Sequence, residues 1–275
     1  GNAVGMTRIA HITDLHVNNK RGVRIPRMIM DEGDETIISP GQRFLWRCLL
    51  DQQDTIKELA KRYKAEVWAV FGGDICELDI KQRTLKVHTR NTKTIEAMTI
   101  ETIKPVIEIS KRAFFCAGTF AHVGDSATSE ERIADDCKIS EIVPGTKGKH
   151  ITDQWYIDCE GVKFLIQHHG KLGRLPWTRA NALNQKAIRL MVQWGRKLPQ
   201  VFIQGHNHVY DTASKAYPIL VVAAPGMCLP TEYEYRIDAD TAKVGGLYFV
   251  CNQGKILDWD AMLYEPGEIP LWSLK

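Results

Sequence analysis

The feature that most constrains this chain is a recurrence of short apolar, β-rich runs, each of which leads directly into a polar loop. "RIAHIT" (8–13), "EVWAVFG" (66–72), "AFFCAG" (113–118), "KFLIQHH" (163–169) and "QVFIQG" (200–205) read as buried strands. Between them lie amphipathic stretches. "GQRFLWRCLLDQQDTIKELAKRY" (41–63) puts Phe44, Leu45, Cys48, Leu49, Ile56, Leu59, Ala60 and Tyr63 on one face at helical spacing, with charges opposite. Further helices are expected over about 91–110, 127–140 and 178–197. Late in the chain, the Gly-containing turns of "DCEGVKF" and "CNQGKIL" sit between β-rich runs and predict hairpins. The pattern is that of a mixed α/β chain, with parallel units early and antiparallel strands late.

Composition limits what such a chain can be. With 275 residues, 44% hydrophobic and 25% charged, it can bury a sizeable core. Neither a Pro/Ser-rich linker nor a low-complexity tract nor a fixed-period repeat divides it, so residues 1–275 are read as a single domain. Residues 1–5, before Met6, are read as an expression remnant and lack the pattern of a signal peptide. The longest apolar stretch, "PILVVAAPGM", falls far short of the roughly 20 residues a membrane-spanning helix needs, so no membrane partner is expected. Seven cysteines, an odd number without CxxC spacing, suggest reduced thiols in a cytoplasmic protein. A formal charge of +3 is too small to imply a partner.

The polar residues fall at matching places on this map. "HITDLHV" sets Asp14 and His16 past the first strand, and "FGGDICE" sets Asp74 past the second. "IQHHG" and "IQGHNH" set His169, His206 and His208 past two later ones. In an open α/β sheet the C-terminal strand ends share a rim where ligands bind, so residues from 14 to 208 can converge. Carboxylates and imidazoles without thiolates suit Mn, Fe, Zn, Co or Ni, and a shared carboxylate can bridge two cations about 3.5–4 Å apart. Gly72 and Gly73 would let backbone pass close to such a centre. Each motif alone is commonplace: Gly-Gly-Asp is most often a turn, and Gly-His-x-His can be a polar loop. The ordered set, each member after its own apolar strand, is hard to explain by chance.

That ordered set, spanning residues 8–208, resembles the calcineurin-like metallophosphoesterase superfamily. The resemblance implies an α/β fold in which two mixed β-sheets pack as a sandwich flanked by helices, with two divalent metal ions, manganese foremost, at the sheet rim. Carried over by position, Asp14, His16 and His208 would hold one ion, Asp74 would bridge, and His169 and His206 would hold the other. His168 is set aside. Successive strand side chains face opposite ways, and the residue directly before Gly170 matches the family pattern.

The third motif departs from the family, which usually has Gly-Asn-His, its Asn a ligand and its His a phosphate contact or proton donor. Here the matching residues are Gly118, Thr119 and Phe120, with His122 two places late. This Gly-Thr-x-x-His form is similar to one found in phage and prophage members. A Thr hydroxyl is a poorer ligand than an amide oxygen. His122 therefore either replaces the Asn or acts as the displaced acid, with Asp125 available to orient it, or is merely exposed.

The implied activity is hydrolysis of a phosphomonoester or phosphodiester by water activated between the ions, with Asp74 and His122 the residues on which catalysis depends. No G-x-S-x-G or Walker-type loop competes. Lys20, Arg21, Arg24 and Arg27, then Lys81, Arg83, Lys86 and Arg90, then Lys171, Arg174 and Arg179, follow the metal motifs. They are either a solvated surface or a funnel for a phosphorylated or polyanionic substrate, nucleic acid included, with Trp177 available for stacking. A nuclease is the main alternative, and a non-catalytic scaffold of the same fold the lesser one. Oligomeric state is open.

Overall fold

The computed structural model describes residues 6–80, 86–173, 175–230 and 243–266. The first apolar run forms β1 (Met6–Ile12), which pairs in parallel with β4 (Ala65–Phe71). β4 is followed in parallel by β5 (Arg112–Cys116), and β5 by β6 (Ile151–Thr152). On its other side β1 meets β12 (Val244–Asn252) antiparallel, and β12 pairs with β13 (Lys255–Tyr264), giving the order β13-β12-β1-β4-β5-β6. In a second sheet β8 (Val162–Gln167), β9 (Val201–Gln204) and β11 (Leu220–Ala223) run parallel. β7 (Gln154–Cys159) and β10 (Asp211–Thr212) are its antiparallel edges. A small ribbon pairs β2 (Arg27–Ile29) with β3 (Glu35–Ile37).

Parallel neighbours require crossovers, and helices supply most of them. α1 (Pro40–Tyr63) joins the first sheet's β1 side to β4, α2 (Thr92–Glu108) joins β4 to β5, and α5 (Pro176–Trp194) joins β8 to β9. α1 is well delimited by its own sequence. The Ser39 hydroxyl accepts from Gln42 N (3.2 Å) while Gln42 Oε1 accepts from Ser39 N (3.4 Å), and Lys64 ends the helix in the left-handed region. After β5 the chain makes the short α3 (Phe120–Val123) and α4 (Thr128–Asp136). The helix expected to 140 stops at Asp136 because the next residues bond the edge of β5: Ala113 N donates to Ile139 O and Glu141 N to Ala113 O, both at 2.8 Å.

Among the described residues, three of the four apolar clusters layer the two sheets and their helices. Ile9, Val70, Phe114, Phe249 and Leu247 of the first sheet meet Trp155, Phe164, Ile166 and Ile203 of the second. The outer face of the first sheet packs Phe71 and Phe115 against Leu45, Leu49, Met98, Ile103 and Ile133 of its helices. The second sheet's outer face packs Leu165, Phe202 and Val221 on Leu183, Ala187 and Leu190 of α5. This is the expected pair of mixed sheets flanked by helices. The two anticipated hairpins turn at Glu160–Gly161 and Gln253–Gly254, with φ of 52°, 84°, 47° and 75°. Positive φ at both turn positions is what a two-residue primed turn demands. All seven cysteines are free thiols, and among the described residues no helix is long and apolar enough to cross a membrane.

Candidate metal centre

Five of the polar residues noted in the sequence occupy strained backbone. Asp14, His16, Asp74, His206 and His208 have φ of 52°, 45°, 49°, 75° and 55°. Such conformations cost about 1–3 kcal/mol each and persist only where the surroundings enforce them. Here the loop after β1 is joined to the loop after β4: Asp14 N donates to Gly73 O (3.0 Å), His16 N to Asp74 O (2.9 Å) and Val17 N to Ile75 O (3.1 Å). Close approach also explains two glycines. A Cβ on Gly73 would lie 2.7 Å from the His168 ring, and one on Gly118 would overlap the Asp74 carboxylate.

The buried carboxylates organise the centre. Asp14 Oδ2 accepts from Thr13 Oγ1 (2.8 Å) and His206 N (3.0 Å). Asp14 Oδ1 has no hydrogen-bond partner, and lies 3.1 Å from His208 Nε2, 3.8 Å from His16 Nε2 and 3.9 Å from His168 Nε2. Asp74 Oδ1 accepts from Thr119 N (2.6 Å), the Thr119 hydroxyl reaches both carboxylate oxygens (3.1 and 3.0 Å), and Oδ2 is 2.9 Å from His168 Nε2. Among the described residues, three groups have donor atoms within 4.8 Å of one another: Asp14, His16 and His208; Asp74, His168 and His206; and His16, Asp74 and His122. Asp74 and His16 are each shared by two groups.

These donors fit divalent cations. A buried carboxylate oxygen without a partner is costly unless a cation meets it. His16 Nε2 and His208 Nε2 also face each other at 3.2 Å beside that oxygen. Titration points the same way. Burial raises Asp14, but His208, His168 and His16 outweigh it and hold its pKa well below the ordinary range. Burial likewise raises Asp74, and His168 and His16 pull it down. Burial lowers His168, yet Asp14, Asp74 and the Gly72 carbonyl bring it up to about 9. His206 is lowered, by burial and then by the His168 charge. Without a metal the raised His168 and His16 thus hold protons beside the two carboxylates, and a cation would displace those protons.

The expectation for the His168–His169 pair is corrected: His168 faces the centre, and His169 does not. On β8, Phe164 and Ile166 point between the sheets while Leu165 points to α5, so the pleat sends residue 168 inward and 169 outward. His168 Nδ1 donates to Gly72 O at 2.7 Å, and its ring is fully buried. His169 is exposed, its ring stacked on His206 at 5.9 Å, and Gln167 Nε2 holds its carbonyl.

The third motif is resolved as well. Thr119 turns its hydroxyl to Asp74. His122 joins the cluster, but the residue orienting it is Glu77 and not Asp125, which is exposed. His122 Nδ1 lies 2.9 and 2.8 Å from the two Glu77 oxygens, and His16 Nδ1 lies 2.7 Å from Oε2. Burial raises Glu77, but its bonds to His122 and His16 outweigh this and lower it. An ionised carboxylate only accepts, so both rings donate from Nδ1 and turn Nε2 to the centre. Glu77 was not singled out in the sequence. Its signal was an acid three residues after Asp74, in the same loop beyond β4.

The basic clusters are partly spent within the fold. Arg24 is fully buried and donates to Thr36 Oγ1 (3.0 Å). Arg90 pairs with Asp79 at 2.8 Å, and Arg27 and Arg179 lie 3.9 Å from Glu35 and Asp211. Lys20, Lys86 and Lys171 are exposed, as is Trp177, whereas Lys81, Arg83 and Arg174 lie outside the described residues.

No family profile and no curated protein matches the chain. Solved structures similar to it include Vps29 of Chaetomium thermophilum, with 10% identity over 94% of this chain and 98% of that one and a TM-score of 0.43. A dimetal phosphatase of Danio rerio is 9% identical over 94% of this chain and 99% of its own, at a TM-score of 0.41. A 5'-nucleotidase of Candida albicans SC5314 is 9% identical over 91% and 48%, also at 0.41. All three have the calcineurin-like metallophosphoesterase fold. Likeness at this level assigns this chain neither activity nor ligand, and the site is read from its own geometry.

Proposed function

We propose that this chain is a calcineurin-like metallophosphoesterase, a two-metal hydrolase of phosphoric esters. The observation that carries the reading is the overlap of donor groups: Asp74 belongs to two of them, beside the group of Asp14, His16 and His208. In this reading Asp14, His16 and His208 would hold one ion, His168 and His206 would hold the other, and Asp74 would serve both. Two divalent cations there would supply Lewis acidity, lowering the pKa of a water and offsetting charge on phosphoryl oxygens. Nitrogen and oxygen donors without thiolate suit manganese, which is the ion proposed here, as well as Fe, Zn, Co or Ni.

The chain's own residues supply positioning and a proton. Thr13 and the His206 amide fix Asp14, and Thr119 fixes Asp74. His122, its side chain partly exposed, is the proposed proton donor to the leaving oxygen. Glu77 accepts from its Nδ1, so the transferable proton sits on Nε2. The substrate class proposed is a phosphorylated or polyanionic compound. Hydrolysis with Mn²⁺ of a phosphomonoester, a phosphodiester, and single- and double-stranded DNA tests this, alongside elemental analysis of the loaded protein. Two ions per chain and turnover on at least one ester are expected. DNA cleavage with inert small esters would make the protein a nuclease, and metal content near zero would remove the reading.

A further inference from the structure

One buried charge near the centre has no part in the chemistry proposed above. Glu130, in the first turn of α4, is 0% exposed, and among the described residues it forms no ion pair. Its Oε1 accepts from Ile75 N at 3.0 Å and its Oε2 from Gly118 N at 2.7 Å. Burial and the nearby Asp74 charge push its pKa up to about 7, while those two N–H groups pull it back. A buried carboxylate is costly to keep, so its placement against two loop amides calls for a reason.

The two amides belong to different loops. Ile75 directly follows Asp74 in the loop after β4. Gly118 directly precedes Thr119 in the loop after β5, and Thr119 in turn donates to Asp74 through both its amide and its hydroxyl. The contacts form a closed ring running from Asp74 through the Ile75 amide, Glu130, the Gly118 amide and Thr119 back to Asp74. Further along the same loops Leu78 N donates to His122 O at 2.7 Å, and His122 meets Glu77. Glu130 thus stands at the base of the junction and His122 at its tip.

We infer that Glu130 is a positioning residue: its two oxygens set the spacing of the loops after β4 and β5, and so the place of Asp74 and of His122 in the centre. The consequence for metal binding rests on the two-metal reading, whereas the clamp itself does not. A carboxylate suits the task because it presents two acceptors and no donor. Glutamine has the same size but one acceptor, and would turn an NH₂ toward a backbone N–H. Asp74 holds a left-handed conformation, so a loosened neighbour would release it toward ordinary backbone.

The test uses the full chain with Glu130→Gln and two measurements. Without metal, amide hydrogen exchange at Ile75 and Gly118 should quicken about ten- to a hundredfold, while amides of β8 and β9 keep their protection. With Mn²⁺, the second equivalent should bind at least tenfold more weakly, and the electron paramagnetic resonance spectrum should shift from a coupled pair toward isolated ions. Where Glu130→Gln fails to fold, Glu130→Asp, which keeps both acceptors on a shorter stem, carries the same measurements. Unchanged exchange at both amides would overturn the clamp, and so would an equal rise throughout the molecule. Wild-type protein that takes up no Mn²⁺ would overturn the two-metal reading alone, and the exchange data would still decide the clamp.

Discussion

Replacing His168 and His169 separately by alanine should produce opposite results. His168 is buried, 2.9 Å from Asp74 Oδ2 and 2.7 Å from Gly72 O. Stripping one partner from a buried charge pair costs about 3–5 kcal/mol. The orphaned carbonyl adds little beyond that, because one side chain made both contacts and Asp74 keeps its bonds from Thr119. At about 2–4 °C per kcal/mol for a chain of this size, the metal-free His168→Ala protein should melt roughly 6–20 °C lower than wild type. The loss should depend on pH. The folded pKa of His168 is raised from 6.5 to about 9, so its stabilising protonation is complete below about pH 6.5 and disappears as pH rises through 9. The gap in Tm should therefore narrow on the alkaline side. His169 is exposed and, among the described residues, its ring meets only the imidazoles of His168 and His206, so His169→Ala should stay within about 0.5 kcal/mol of wild type. Elemental analysis after Mn²⁺ loading should find one ion per chain in His168→Ala and two in His169→Ala. The reverse pattern, an ion lost with His169 and two retained without His168, would refute the placement of the pair.

Asp74→Asn should reduce activity more than any other single change among the proposed ligands, by at least about a hundredfold, since it weakens the residue proposed to serve both ions. Kinetics across the ligand series on one substrate would show otherwise if His206→Ala or His208→Ala costs more. His122→Ala should slow turnover about 10²–10⁴-fold with both ions retained, and more for the poorer leaving group. Loss of an ion would instead make His122 a ligand, and unchanged rates would leave it a bystander. Away from the centre, burial and then the charges of Arg24 and Lys20 lower the His88 pKa from 6.5 to about 4. The unfolded chain then binds more protons in that window, so stability is full above pH 6.5 and falls toward pH 4. The loss is about 1–2 kcal/mol once the ring's partial exposure is discounted. Urea midpoints of wild type and His88→Gln should converge as pH falls, and parallel curves from pH 7 to 4 would contradict the assignment.

Much of this molecule could be read from local patterns, because those patterns follow local physics. The apolar runs ending at Ile12, Phe71, Cys116, Gln167 and Gln204 are strands because nothing but a sheet buried on both faces absorbs them, and their polar successors had to sit at the C-terminal rim. The helical spacing of apolar residues over 41–63 announced α1, whose Ser39–Gln42 cap only the structure added, and the two Gly-containing turns announced their hairpins. The choice between His168 and His169 was another matter. Every position from Phe164 to Gln167 is buried, so no hydrophobic alternation marks which face of β8 looks between the sheets. The pleat phase was set by packing on Phe249 and Trp155 on one side and on α5 on the other. The orienting partner of His122 was equally out of local reach. Asp125 is three residues away along the chain but exposed, whereas Glu77 is 45 residues away and 2.8 Å distant, because β4 and β5 are neighbours in the sheet and their loops leave the same edge side by side. Glu130 reaches the site by the same adjacency. Chain distance governs helix, turn and strand. The partners of a buried charge are governed by which strands pair, and that is settled only when the whole core closes.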